Sequence, residues 1–149
     1  MPSIIEEIKK TSATEEEKRA AIREEIISFF REYLNSEKFT ESIKDQCQKA
    51  IRRDGHNYTS IDVEFWDWHD GCTATHFSVG PKEWKNPEES DGWGSCTYKG
   101  VRLCQLQDDV GPRLTEMTKS KLIELGFKVS VQDKMGRIGY YHHEITLSW

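Results

Sequence analysis

Cysteine and proline are scarce in this 149-residue sequence, and long hydrophobic runs are missing from it. The four cysteines (Cys47, Cys72, Cys96 and Cys104) form no Cys-x-x-Cys pair, which favours reduced thiols in the cytoplasm over a disulfide framework. No stretch approaches the roughly 20 apolar residues that cross a bilayer. Residues 1–7 have neither the basic nor the apolar region of a signal peptide. We therefore expect a cytoplasmic protein without a membrane partner.

Familiar catalytic and nucleotide-binding motifs are also missing. The sequence contains no Gly-x-Ser-x-Gly elbow, no P-loop and no dinucleotide-binding glycine fingerprint. Its 21 basic and 26 acidic residues give a net charge of −5, which argues against long nucleic acid as a partner. These absences favour a binding protein over an enzyme, with no cofactor.

The negative charge is concentrated in one segment. Residues 56–95 carry eight acids against Lys82 and Lys85, a net of −6, while residues 1–55 and 96–149 carry −1 and +2. A small anionic ligand held by a few arginines is compatible with this distribution.

The hydrophobic content is low for a chain that must bury a core alone. Hydrophobic residues make up 36% of the sequence, and the mean hydropathy is −0.75. Aromatic residues nevertheless make up 11%, with five tryptophans, which argues against disorder. We infer a small core that self-association completes.

The spacing of apolar residues predicts an α+β fold in one domain that covers residues 1–149. Two N-terminal helices precede a largely antiparallel sheet with one further helix packed on it, in the order αα-ββ-loop-β-α-ββ. Residues 1–35 are expected to form a helical oligomerisation segment, and residues 36–149 the α+β body. The first predicted helix begins at a Thr14–Glu17 capping box and ends at Leu34. The second begins at Ser36 or Thr40 and ends at Asp54, before Gly55. The third begins at Asp108 or Asp109 and ends at Gly126. Predicted strands 58–68 and 73–79 form a hairpin around Asp70-Gly71, and a loop at 80–95 follows. A third strand covers 96–106. Strands 127–131 and 141–149 form a second hairpin around residues 134–136.

Arg19 and Arg23 lie within the apolar stripe of the first predicted helix. That stripe is roughly 160° wide when successive residues are placed about 100° apart. The ordinary interpretation is that each arginine lays its methylenes on apolar surface and extends its guanidinium into water. The alternative is a helix–helix interface at which guanidinium groups from several subunits meet an anion. Arg19 and Arg23 are therefore candidates for an anion site.

Aromatic, amide and guanidinium side chains gather in and around the predicted loop. A nucleotide-like ligand needs an aromatic face for its base, an amide contact and guanidinium groups for its phosphates. Ordinary core packing with surface arginines explains the same composition. The residues concerned are Phe77, Trp84, Asn86, Trp93, Tyr98 and Arg102, with Arg53 and Arg113 as further candidates.

The sequence contains only part of the ligand pattern that is usual for a zinc site. His69, Cys72 and His76 span the predicted hairpin, and Cys96 or Cys104 could join them. Structural zinc sites usually show two close pairs of ligands, and the second pair is missing here. We therefore expect no bound metal.

Paired carboxylates provide the case for an enzyme. Asp62 and Glu64 share one face of the predicted strand with Trp66, about 6.6–6.8 Å apart along it, near the lower limit for the two acids of an inverting glycosidase. Alternating acids on a solvent-facing strand are the commoner explanation. His142 and His143 are adjacent in a strand and point to opposite faces, which suits joint metal binding poorly.

The order of an arginine, a phenylalanine, an asparagine and a second arginine resembles the phage anti-Thoeris sponge proteins, which sequester cyclic ADP-ribose immune signals. Chain length, the N-terminal helical segment and the α+β body add to this resemblance, which covers nearly the whole chain. It implies that Phe77 is the pocket aromatic, that Asn86 supplies the amide, and that Arg53 and Arg102 contact phosphate or ribose.

The resemblance also implies a homo-oligomer, a dimer or a hexamer, with the signal pocket between paired subunits. Arg23 would serve a second site for cyclic oligonucleotides near the N-terminal helices, and Arg113 is a further pocket candidate. The implied location is the cytoplasm of an infected bacterial cell.

Three functions are consistent with these residues. The first is sequestration of cyclic nucleotide signals without cleavage, with residues 80–95 as a lid over the ligand. The second is inhibition of a host defence enzyme through the acidic, tryptophan-containing surface. The third is a hydrolase that uses Asp62 and Glu64.

Overall fold

The computed structural model describes residues 3–67, 75–85, 97–137 and 140–149. Within these residues, two helices precede an antiparallel hairpin, and a third helix precedes the last two strands, which confirms the predicted α+β class. The helices are α1 (Ile4–Leu34), α2 (Glu37–Lys49) and α3 (Gln107–Glu124). The strands are β1 (Tyr58–Asp67), β2 (Thr75–Val79), β3 (Lys82–Lys85), β4 (Thr97–Tyr98), β5 (Val101–Arg102), β6 (Lys128–Arg137) and β7 (Tyr140–Ser148).

Helix α1 begins ten residues before the predicted capping box. The Ser3 hydroxyl accepts a hydrogen bond from the Glu6 amide at 3.2 Å, and the Glu6 carboxylate accepts one from the Ser3 amide at 3.1 Å. The Thr14 hydroxyl donates to the Lys10 carbonyl at 3.0 Å, as in a helix interior. The predicted start at Thr14 is therefore wrong, because a stronger start signal precedes it and no glycine or proline separates the two.

Helix α2 follows the prediction closely. Ser36 caps it by accepting from the Phe39 amide, and a π-helical turn (Ala50–Asp54) extends it. Gly55 then adopts a φ of +62°, a left-handed conformation that glycine enters without strain. The predicted stop at Gly55 is confirmed.

Five antiparallel strands form the main sheet in the order β3-β2-β1-β7-β6. On β1, Ile61, Val63 and Phe65 point into the core, because alternate residues of a strand face opposite sides. Strand β7 contributes Ile145 and Leu147 to the same buried layer. Helices α1 and α3 cover this face of the sheet with an apolar layer of their own: Ile22, Ile26, Ile27, Phe30, Val110, Leu114 and Leu122.

Helix α3 lies very close to β7 at Gly111. A Cβ atom at this position would lie 2.8 Å from the Tyr141 ring, inside van der Waals contact. The Tyr141 hydroxyl lies 2.8 Å from the Thr115 hydroxyl one turn further along α3. The small residue therefore lets the helix approach the sheet closely enough for this buried hydrogen bond.

The segment between the two halves of the sheet differs from the prediction. Residues 82–85, predicted as part of a loop, form the edge strand β3, and residues 86–96 lie outside the described residues. The predicted strand 96–106 is wrong: β4 and β5 make a short separate hairpin through Lys99 and Gly100, which both have positive φ. A 3₁₀ turn (Leu103–Leu106) follows, and the Leu103 and Leu106 side chains are both buried in the core.

The remaining helix and hairpin are correct in kind but displaced in detail. Helix α3 starts at Gln107 without a side-chain cap, so the predicted cap at Asp108 or Asp109 is wrong. Gly126 follows its end with φ +101°, as predicted. Residues 134–136, predicted as the hairpin turn, lie within β6 beside a β-bulge between Asp133 and Met135. None of the helices in the described part of the chain is long and apolar enough to cross a membrane.

Candidate functional site

Polar and aromatic side chains cover the sheet face that is turned away from α1 and α3. Strand alternation places Asp62, Glu64 and Trp66 of β1 on this open face. In the sheet register, Glu64 lies opposite His142, and Trp66 lies opposite Tyr140. The predicted pair of carboxylates therefore shares its face with a histidine that comes about 80 residues later in the chain.

His142 lies between the two carboxylates of β1. Its Nε2 atom is 2.8 Å from Asp62 Oδ1 and 3.4 Å from Glu64 Oε1. One ligand atom from each of the three residues lies within 4.8 Å of the other two. The His142 and Glu64 side chains are largely buried, whereas the Asp62 side chain is 52% exposed. Two members of the Asp62–Glu64–His142 cluster are therefore largely buried, and the third, Asp62, is open to solvent.

Neighbouring side chains orient two members of the cluster. The Tyr140 hydroxyl lies 3.2 Å from His142 Nδ1, the ring nitrogen that faces away from the carboxylates. The Trp66 indole N–H donates a hydrogen bond to the Glu64 carboxylate. Such outer hydrogen bonds fix the tautomer and position of metal-binding residues. The cluster therefore has the supporting contacts typical of a metal site.

A second histidine lies one strand away. His76 of β2 is opposite Trp66, and the two rings stack at a centroid distance of 6.3 Å. Burial lowers the pKa of His76, and Glu83, whose carboxylate lies 3.3 Å from its Nε2, partly opposes that shift. Its Nδ1 is buried without a hydrogen-bond partner among the described residues. Burial therefore favours the neutral form of the His76 imidazole.

Two other acids that the structure describes on the open face form ion pairs with lysines. Glu144, opposite Asp62, forms an ion pair with Lys134 at 3.6 Å, and Glu83 forms one with Lys85 at 3.4 Å. Of the acids in residues 56–95, the acidic segment predicted to dock on a host protein, Glu83 is thus paired with a lysine. Docking of a host protein through that segment stays a prediction.

Among the residues predicted to bind a nucleotide, the aromatic side chains of Phe77, Trp84 and Tyr98 pack against one another in the core, whereas the arginines lie at the surface. Phe77 is fully buried and packs on Phe65 at 4.5 Å, while Arg53 and Arg102 are exposed, in the π-helical turn and on β5. Arg113 forms a 2.9 Å ion pair with Glu24. No hydrogen bond, ion pair or ring contact within the described residues joins Phe77, Arg53, Arg102 and Arg113 to one another. Asn86 lies outside the described residues.

Both arginines of the α1 stripe bind carboxylates of their own chain. Arg19 lies 3.0 Å from Glu16, and its hydrogen bond lowers the pKa of that carboxyl. Arg23 lies 2.8 Å from Asp109 of α3 and 3.5 Å from Glu16. The Arg23 Nε atom is buried without a partner among the described residues. The predicted anion site at Arg19 and Arg23 stays a prediction, and an anion there would compete with Asp109.

The zinc spacing considered on the hairpin is only partly within the described structure. His69, Cys72 and Cys96 lie outside the described residues. His76 faces Glu83, and Cys104 is half-buried.

Sequence reasoning found two members of the cluster and missed the third. Alternation within β1 correctly placed Asp62 and Glu64 together. His142 and His143 do point to opposite faces, as predicted, but one of them is enough to complete a three-residue site. The signal that was available is the alternation of Tyr140, His142 and Glu144 on one side of the last strand.

No family model matches this chain. No curated protein and no solved structure matches it either. The function proposed below therefore depends on the geometry of the chain itself.

Proposed function

We propose that the Asp62–Glu64–His142 cluster binds a divalent transition-metal ion. The observation that carries the proposal is the convergence of three ligand atoms within 4.8 Å. Ligand atoms bonded at about 2.0–2.2 Å to one ion lie roughly 3–3.5 Å from one another. Asp62 is the most exposed of the three side chains, and the other two are already oriented by hydrogen bonds.

The charge of the cluster also favours a cation. The carboxylates of Asp62 and Glu64 both lie within 3.4 Å of one imidazole nitrogen and so share a small volume. Like charges that lie this close together repel each other. A divalent ion offsets this repulsion. One imidazole nitrogen and two carboxylate oxygens are donors that suit Zn²⁺ and similar ions.

Asp62, Glu64 and His142 would hold the ion, and a bound Zn²⁺ would supply an activated water as a nucleophile at neutral pH. The hydrolase predicted from Asp62 and Glu64 would then be metal-dependent, with the two carboxylates holding the ion. This differs from the predicted glycosidase arrangement, in which one acid donates a proton.

Calorimetric titration with Zn²⁺ after chelator treatment tests the proposal. We expect one ion per chain, and for His142→Gln and Asp62→Asn an affinity at least about tenfold lower, because each removes one ligand. His143→Gln and Glu144→Gln are matched controls on the same strand and are expected to bind as the wild type does. Co²⁺ substitution adds a visible absorption band that reports coordination directly. Equal losses in His142→Gln and His143→Gln, or no binding to the wild-type protein, would contradict the proposal.

Sequestration of a cyclic nucleotide is the second candidate. The observation in its favour is that Arg53 and Arg102 are exposed and have no carboxylate partner among the described residues. Calorimetry with cyclic ADP-ribose isomers and cyclic dinucleotides tests it, and recovery of the intact ligand after heating distinguishes sequestration from cleavage. Binding that survives in Arg53→Ala and Arg102→Ala would remove these two residues from the candidate pocket.

A further inference from the structure

The first half of α1 projects from the body of the protein as a helical arm. No residue between Ser3 and Ala21 is buried, and the first buried residue of the helix is Ile22. At a rise of 1.5 Å per residue, Ile4 lies about 27 Å along the helix axis from Ile22. The capping box of Ser3 and Glu6 stabilises the free end of this arm.

The tip of the arm is apolar, whereas its stem is not. Ile4, Ile5 and Ile8 are 74%, 60% and 57% exposed, and together they form a stripe about 100° wide on one side of the helix. Continued toward the body, the same side carries Glu15 and Arg19. Two arms packed side by side would therefore bury charged residues, so the tip suits a compact pocket better than a long helix–helix seam.

The body carries an apolar groove of matching character. The groove, of about 350 Å³, lies between α2 and the segments that follow α3 and β7. Ile51, Leu125 and Trp149 line it and are all substantially exposed, and Phe127 lies between them. Apolar grooves of this kind receive the apolar face of an amphipathic helix, with anchors spaced three or four residues apart.

Glu7 at one edge of the tip and Lys44 beside the groove carry opposite charges, while Lys9 lies at the other edge of the tip. Lys44 lines the groove and makes no ion pair among the described residues. Glu7, which lies about 60° from Ile4 around the helix, likewise has no ion-pair partner in the described part of the chain. The continuous helix holds the tip away from its own body, where Ile4 stays exposed. The groove of another molecule is therefore the surface to which the tip is complementary.

We propose that residues 4–8 of one copy bind in the apolar groove of a second copy, with Glu7 next to Lys44. Reciprocal exchange of two arms closes the assembly, because each copy then fills one groove and offers one tip. This contact is independent of the proposed metal site, which lies on the open sheet face.

Sedimentation of the full chain over a range of concentrations tests this contact. We expect the wild-type mass to rise above the single-chain value of 17.4 kDa. Ile8→Asp at the tip and Leu125→Asp in the groove should each raise the dissociation constant about tenfold or more, as loss of an apolar anchor does. Ala13→Asp, on the opposite side of the arm, and Val131→Asp, an equally exposed position outside the groove, should leave it unchanged.

Mixing the two damaged variants distinguishes this contact from any other. Ile8→Asp keeps an intact groove and Leu125→Asp keeps an intact tip, so a mixed pair can form one intact tip–groove contact, and an equimolar mixture should associate more tightly than either variant alone. Lys44→Glu should weaken association, and adding Glu7→Lys to it should restore it. Circular dichroism of each variant verifies that it is folded. A wild-type chain that stays at single-chain mass at its highest soluble concentration, or folded variants whose mixture associates no more tightly than either alone, would overturn the proposal.

Discussion

The two faces of the main sheet use the same strands for opposite purposes. On β1, Val63 and Phe65 are sealed beneath α1 and α3, whereas Glu64 and Trp66, their immediate neighbours, belong to a hydrogen-bonded polar network. Apolar burial on the covered face stabilises the fold, whereas the open face carries charged and hydrogen-bonded side chains. Neighbouring residues of one strand are therefore expected to respond very differently to substitution.

Phe65→Ala should have the largest effect. Phe65 is fully buried against Phe77, and truncation of a buried phenylalanine typically lowers the free energy of unfolding by about 3–5 kcal/mol. Urea unfolding followed by circular dichroism measures the change. Glu64→Gln, one residue away on the other face, is the control and should lose far less. Comparable losses in the two variants would show that the faces are not energetically distinct.

The second-largest effect is expected from alkaline pH, which should destabilise the folded protein through a side chain on the covered face. Burial raises the pKa of Tyr141 to about 12, from 10.0 for the free side chain. The folded protein therefore keeps its proton where the unfolded chain loses it, and stability present below pH 10 falls as the pH rises toward 12. The loss amounts to roughly 2–3 kcal/mol. Unfolding experiments at several pH values measure it, and Tyr141→Phe should flatten the profile; an unchanged slope in that variant would contradict the assignment.

Lys134→Ala should have the smallest effect. Its ion pair with Glu144 lies on the open face and is partly exposed, and exposed pairs contribute about 0–1 kcal/mol. Thermal unfolding at low and high salt measures the contribution, which salt should diminish further. A loss as large as that of Phe65→Ala would mean that the open face stabilises the fold.

The features that could be predicted from the sequence are those that depend on local conformation. Alternation within β1 identified both faces of that strand, and Gly55 and Gly126 correctly marked the ends of two helical segments, because these signals depend on local conformation. The start of α1 was misplaced because two capping boxes compete in the sequence, and only the earlier one is used. Local signals therefore located elements better than boundaries.

The candidate site was only partly predictable, for a different reason. Asp62 and Glu64 are neighbours in one strand, but His142 joins them only because β7 pairs with β1 in one particular register. That register depends on which apolar residues of the two strands face the helices. Phe77 shows the reverse case: its aromatic ring suggested a ligand pocket, and the fold places it in the core.

The sheet edges have a consequence for how molecules of this protein meet at high concentration. Strand β3 ends the sheet on one side with Lys82 and Lys85, and β6 ends it on the other with Lys128, Lys134 and a bulge. Lysines and bulges at free edges oppose the strand-to-strand growth that leads to aggregation. The sheet is thereby protected from extension into a neighbouring molecule at both of its margins.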